Sequence, residues 1–169
     1  GYDSLRPGQQ ELIEGILQRK DVLGIMPTGA GKSLCYQVPA LMLDGITIVV
    51  SPLISLMTDQ VKALNQAGVH AAYINSSLTE NQIRTALFYA AQGRYKIIYV
   101  APERLNTMRF LEFACQVDIS MVTVDEAHCI SQWGQDFRPS YVGIADFLAQ
   151  LPKRPVVSAF TATATERVK

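Results

Sequence analysis

A chain of 169 residues, 49% hydrophobic and 18% charged, has the length for one ordinary domain with a real core and is too apolar for a disordered segment. Its 15 basic residues balance its 15 acidic ones, so composition gives no support to a nucleic-acid partner, and any such site has to be local. The 3 cysteines, Cys35, Cys115 and Cys129, lie far apart and form neither a disulfide framework nor a zinc pattern; no apolar run reaches membrane-spanning length, and no charged-then-apolar leader opens the chain.

In chain order, Pro7 suits a first helical turn, and Leu12, Ile13, Ile16 and Leu17 continue it as an apolar stripe. Residues 21–26 read as a strand. Met26-Pro-Thr-Gly-Ala-Gly-Lys-Ser33 follows and opens a helix that Pro39 should kink or restart before Ala40–Leu43. Ile46–Val50 is a β-branched run, expected to be a central strand buried on both faces. Ser51-Pro52 ends it, and Leu53, Met57, Val61 and Leu64 stripe the next helix, which closes near Gly68. His70–Ile74 is a short strand, with His70 structural or solvated. Thr79 and Gln82 make a capping box before a helix lined by Ile83 and Leu87 and ended by Gly93. Then come a strand over 95–101, a helix over 106–116 and a strand over 119–124 that runs into Asp125-Glu-Ala-His128. A polar, aromatic loop leads to a helix from Pro139 marked by Tyr141, Ile144, Leu148 and Leu151. Pro155–Phe160 is the last strand, followed by Thr161-Ala-Thr-Ala-Thr165.

Strands and helices alternate, which implies right-handed crossovers and an α/β domain with a mostly parallel sheet covered by helices on both faces. Ligands of such sheets sit beyond the carboxyl ends of the strands. The segments 26–33, 51–52, 101–105, 125–128 and 161–163 all fall at such ends and so belong to one shared site.

The first of these segments is a phosphate-binding loop. In Pro27, Thr28, Gly29, Ala30, Gly31, Lys32 and Ser33, the glycines let backbone N–H groups turn inward around phosphate oxygens, and the following helix presents its dipole. Lys32 is placed to reach the β and γ phosphates of ATP, and the Ser33 hydroxyl to ligate Mg²⁺. The usual pattern begins with a further glycine, where this chain has Met26. Asp125 is placed to hold Mg²⁺ through water opposite Ser33, and Glu126 to polarise the water that attacks the γ phosphate. A zinc protease would need a second His flanking the glutamate, and none is there. The residues alone leave open another P-loop NTPase or a small-molecule kinase, and a non-catalytic binding module using the same surface.

Met26–Ser33, Asp125–His128 and Thr161–Thr163 together resemble the nucleotide motifs of superfamily-two helicases. Ser51-Pro-Leu-Ile-Ser-Leu56, Ala101-Pro-Glu-Arg-Leu105 and Cys129-Ile-Ser-Gln-Trp-Gly-Gln-Asp-Phe-Arg-Pro139 narrow the resemblance, over nearly the whole chain, to the RecQ-family DNA helicases. That resemblance implies the family's first RecA-like motor, residues 1–169 as a single domain and a piece of a longer protein, without the second motor or the zinc-binding and winged-helix modules. It implies ATP and Mg²⁺ as cofactors, with no zinc, and adenine recognition by Tyr2, Arg6 and Gln9, with Leu5 where the family has Phe. Lys32, Asp125, Glu126 and His128 become the catalytic set. Ser51 and Arg104 become contacts to the DNA backbone. Trp133, Phe137 and Arg138 become the aromatic-rich loop that couples DNA to hydrolysis, with Gln135 where the family has His. Thr161 and Thr163 become the link from hydrolysis to domain movement, bridging to Asp125 or His128. The implied partners are single-stranded DNA, duplex junctions and a second RecA-like domain, with no membrane. The implied work is 3′–5′ translocation and unwinding in DNA repair and recombination. The setting is intracellular: cytoplasm and nucleoid in a bacterium, the nucleus in a eukaryote. Since such motors take their catalytic arginine from the second domain, this chain alone is expected to bind Mg-nucleotide modestly and to be nearly inactive.

Overall fold

A computed structural model describes residues 8–26, 31–131, 134 and 136–162. Among them the strands are β1 (Val22–Ile25), β2 (Ile46–Val50), β3 (Ala71–Ile74), β4 (Ile97–Val100), β5 (Ile119–Val124) and β6 (Val156–Thr161). The α-helices are α1 (Gln9–Leu17), α2 (Lys32–Met42), α3 (Ile54–Gln66), α4 (Glu80–Ala91), α5 (Met108–Gln116) and α6 (Gly143–Gln150). The strands form one sheet of order β1-β6-β5-β2-β4-β3, and every neighbouring pair is parallel.

Alternation along each strand divides the core between the two faces, as period-two side chains dictate. Ile46, Ile48 and Val50 of β2 point to a layer containing Ile83 and Leu87 of α4, Phe110 and Phe113 of α5 and Phe147 of α6. Val49, Tyr99 and Met121 point to the other layer, with Ile16 of α1, Tyr36 of α2 and Met57 of α3. Helices therefore cover both faces, and β2 is buried along its whole length, as its β-branched run anticipates. The capping box forms: Gln82 N–H donates to Thr79 Oγ1 at 3.1 Å, and Thr79 N–H donates to Gln82 Oε1 at 2.8 Å.

Some boundaries differ from expectation. Pro39 does not restart its helix, since α2 runs through it to Met42. The proline lies near the carboxyl end, so one lost backbone bond affects only the last turn, and its ring is buried in the packing. The segment at Pro139 opens as a 3₁₀ turn, Pro139–Val142, before α6 begins. No helix among the described residues is long and apolar enough to cross a membrane.

The amino ends of β1 and β6 are clamped by Asp21. Its carboxylate accepts from Arg154 at 3.1 and 2.6 Å and from Val157 N–H at 3.0 Å. The Arg154 guanidinium, helped by that N–H, holds the Asp21 carboxyl below its usual value despite some burial. A depressed acid stabilises the fold above the unfolded-state value of about 4 and loses that contribution as pH falls through the folded value. Asp21→Asn is therefore expected to lower the melting temperature at neutral pH and to flatten its fall below about pH 4. Thermal unfolding across that range tests it; an acid limb unchanged in the variant contradicts the clamp.

Candidate nucleotide-binding site

The chain enters α2 through Gly31, whose φ of 76° lies in the left-handed region. Gln9 donates from Nε2 to the Gly31 carbonyl at 3.0 Å and is itself buried. A Cβ at Gly31 would meet that Nε2 at 2.5 Å. Gly31→Ala is thus expected to displace Gln9 and to impose left-handed strain of about 1–2 kcal/mol. A melting temperature lower by several degrees is the expected reading, and an unchanged one would show that the turn relaxes freely.

Lys32 begins α2 and reaches across to the end of β5. Its Nζ donates to Glu126 Oε1 at 2.9 Å and lies 3.5 Å from Asp125 Oδ1. The neighbouring strand holds Asp125 from below, since its N–H donates to the Val50 carbonyl at 2.9 Å. From above, the Tyr141 hydroxyl donates to the Asp125 carbonyl at 2.8 Å. The next residue, Glu126, is left-handed, at φ 54° and ψ 47°, and donates its N–H to Asp125 Oδ1 at 3.0 Å. A non-glycine residue held in that region is strained, and the two bonds on Asp125 keep it there. Asp125 is only 5% exposed. Burial pushes its carboxyl above the usual value, and the pull of Lys32 does not cancel that. Burial acts to lower Lys32, but Asp125 and Glu126 outweigh it and raise the amine, so Lys32 is a cation at neutral pH.

His128 joins the end of β6, the acidic turn after β5 and the loop that follows. Its Nδ1 pairs with Thr161 Oγ1 at 2.8 Å, at the end of β6. Its Nε2 lies 3.5 Å from Glu126 Oε2 and 3.6 Å from Asp136 Oδ2, in the loop that follows. The bridge from Thr161 toward the acidic turn thus forms through His128.

The other sequence-predicted residues fall around this centre or away from it. Ser33 lies in the first turn of α2 and accepts from Gln60 Nε2 at 3.4 Å. Ser51, at the end of β2, is 1% exposed, and its hydroxyl has no hydrogen-bond partner among the described residues. Arg104 ends the 3₁₀ turn Pro102–Arg104 and sits 3.6 Å from Glu80 on α4. Phe137 is half-buried, while Arg138 is exposed and donates its backbone N–H to the Cys129 carbonyl at 2.9 Å. Tyr2, Arg6, Pro27, Thr28, Gly29, Ala30, Trp133 and Thr163 lie outside the described residues.

Three participants were missed in the sequence. Tyr141 appeared there only as a helical stripe residue, Asp136 only as part of a polar loop, and Gln60 not at all. Asp136 sits inside the Cys129–Pro139 segment, eight residues after His128, whereas Gln60 and Tyr141 carry no local signal, and only the packing of α3 and of the Pro139–Val142 turn brings them in.

The donors at hand for a cation are the Ser33 hydroxyl and the Asp125 carboxylate. These are hard oxygens that suit Mg²⁺, an ion that keeps several waters and takes few protein ligands. Among the described residues no group of three or more His, Cys, Asp or Glu is arranged to hold a metal.

Comparison with known proteins matches residues 6–169 to the family described as DEAD/DEAH box helicase. The chain belongs to the DEAD/DEAH box helicase family. This helicase domain is 52% identical over 169 residues to the ATP-dependent DNA helicase RecQ of Bacillus subtilis, covering 99% of the chain and 29% of that protein. It is 47% identical to the RecQ of Haemophilus influenzae, covering 97% of the chain and 26% of that protein. It also matches the probable ATP-dependent DNA helicase RecS of Bacillus subtilis at 47%, over 98% of the chain and 33% of the relative. The chain therefore spans about a third or less of the length of these curated relatives. Among solved structures, a hypothetical ATP-dependent RNA helicase from Sulfolobus tokodaii superposes with a TM-score of 0.77 at 22% identity, over 99% of this chain and 49% of that one. The helicase Lhr of Mycobacterium smegmatis, bound to single-stranded DNA and AMP-PNP, gives 0.74 at 20% identity, over 98% and 24%. These two establish the fold: a RecA-like helicase domain.

Proposed function

We propose that this helicase domain is the ATP-binding half of an ATP-dependent DNA helicase of the RecQ type, one that moves 3′ to 5′ on single-stranded DNA and unwinds duplexes in repair and recombination. The observation that carries the reading is the meeting of Lys32 with Glu126 and Asp125 beyond the carboxyl ends of the strands. A cation at a helix start, facing a buried carboxylate and a strained glutamate, has the parts that phosphoryl transfer to water requires.

With nucleotide bound, Lys32 exchanges Glu126 for phosphate oxygens. Ser33 and Asp125 would hold Mg²⁺, which would supply charge neutralisation at the phosphates. Glu126, released from Lys32, orients the attacking water and accepts its proton. His128 keeps Glu126 in register with Thr161, so loss of the γ phosphate is felt at the end of β6. Gln9 holds the carbonyl at the helix end of the phosphate loop and, with Tyr2 and Arg6, would recognise the adenine. The second RecA-like domain supplies the catalytic arginine and closes over the nucleotide, and opening after hydrolysis moves the DNA. Ser51, Arg104 and the loop carrying Trp133, Phe137 and Arg138 contact the strand, mainly through its backbone and by stacking.

The test is strand displacement by the full-length protein on duplexes carrying either a 3′ or a 5′ single-stranded tail. Unwinding of the 3′-tailed substrate alone, dependent on Mg-ATP, is the expected result. No ATP-dependent unwinding of either substrate, or preference for the 5′ tail, contradicts the reading.

A further inference from the structure

The Ser33 hydroxyl is wired to α3. Gln60, in the middle of that helix, donates to Ser33 Oγ at 3.4 Å, and its Oε1 accepts from Gln37 Nε2 at 3.0 Å. Gln37 also donates to the Tyr99 hydroxyl at 3.1 Å. Tyr99 pairs in turn with the buried Tyr36 hydroxyl at 2.9 Å, and that hydroxyl is itself within reach of Ser33. The result is a polar network spanning α2, α3 and β4, against the buried floor of the candidate nucleotide site. Fixing two glutamine side chains costs rotamer entropy, so a plain helix contact would be met more cheaply by apolar residues. An amide pair also transmits geometry, since each donor and acceptor has one direction.

The other end of α3 lies beside an unsatisfied group. Ser51 precedes the helix, and its hydroxyl is buried with no partner among the described residues. Leu53 and Ile54, which open the helix, are 44% and 38% exposed. The side chain that ties α3 to Ser33 is Gln60.

We infer that Gln37 and Gln60 are positioning residues that make the start of α3, next to the buried Ser51, depend on occupancy of the nucleotide site. The inference rests on the assignment of Ser33 to the Mg-nucleotide. A serine hydroxyl has two lone pairs and one hydrogen. With one lone pair turned to a cation, the other would still accept from Gln60, and the amide would have to follow its new direction to keep the bond. The helix is stiff, so a change at Gln60 reaches Ser51 as a small rigid displacement. The linkage is reciprocal: whatever holds the start of α3 feeds back on Ser33.

The test is amide hydrogen exchange at the start of α3, read at Met57 and Thr58, with and without Mg²⁺ and a non-hydrolysable ATP analogue. The unaltered chain is compared with Gln60→Ala, Gln37→Ala and the double variant, and nucleotide affinity is measured beside each. Expected is a nucleotide-dependent change of about 3-fold or more in the unaltered chain. It should be lost to the same extent in either single variant and in the pair, each read at saturating analogue. If the analogue binds and exchange does not change, or changes equally in the variants, the relay is overturned and the nucleotide site stands. If the folded, unaltered chain binds no nucleotide, the site assignment fails first and the relay with it.

Discussion

Glu126→Gln is expected to lower ATP turnover of the full-length helicase by about 10²–10⁴-fold, the range that removal of a general base produces. The affinity for Mg-ATP should meanwhile hold or rise. Both expectations come from one contact. Glu126 Oε1 accepts from Lys32 Nζ at 2.9 Å, so the carboxylate competes with phosphate for the same ammonium group. An amide at this position competes less and accepts no proton. Steady-state turnover with an independent binding titration separates the two effects. Turnover within about 3-fold of the unaltered enzyme would remove Glu126 from the chemistry, and a large loss of affinity would show that it helps hold nucleotide instead.

Lys32→Ala should have an effect of similar size on binding. Loss of charge-assisted hydrogen bonds to the phosphates is expected to weaken Mg-ATP at least about 100-fold, close to 2.7 kcal/mol. The fold should suffer too, because Asp125 is buried and Lys32 is its near cation. Removing one partner of a buried pair costs about 3–5 kcal/mol; Lys32 retains some exposure, so about 2–3 kcal/mol is expected. The pH dependence has a definite sign. Burial already raises the Asp125 carboxyl, and without Lys32 it rises further. A raised acid costs nothing below the unfolded value of about 4 and destabilises as pH climbs above it. The variant should therefore be closest to the unaltered protein in acid and furthest from it near neutrality. A stability difference that is constant with pH would mean that Asp125 does not sense Lys32.

How much of this could be read in the sequence follows from how local each signal is. The strand Ile46–Val50 and the capped helix after Thr79 were legible because β-branched runs and capping boxes are short-range devices. The meeting of Lys32 with Asp125 and Glu126 was open to inference for the same reason, since each lies in a contiguous motif at a strand end. The pairing of His128 with Thr161 was open to inference, since β5 and β6 end there. Tyr141 could not be placed on the Asp125 carbonyl, because that bond depends on a 3₁₀ turn where periodicity suggested the start of a helix. Gln60 reaches Ser33 only through the packing of α3 on α2, and a glutamine on a helix otherwise reads as a solvated position. Ser51 carried a motif-level expectation of surface contact, whereas the structure buries its hydroxyl. Pro39 illustrates the converse: the local rule is sound, but near a helix end the packing outweighs it.

The central claim is that the residues gathered around Lys32 form a site for the phosphates of a Mg-nucleotide. Calorimetric titration of Mg-ATP, Mg-ADP and phosphate-free adenosine into the unaltered chain tests it most directly. Saturable binding of both nucleotides, with adenosine weaker by at least about 100-fold, is the predicted result. Adenosine binding as tightly as ATP, or no heat from either nucleotide in a chain shown to be folded, would contradict it.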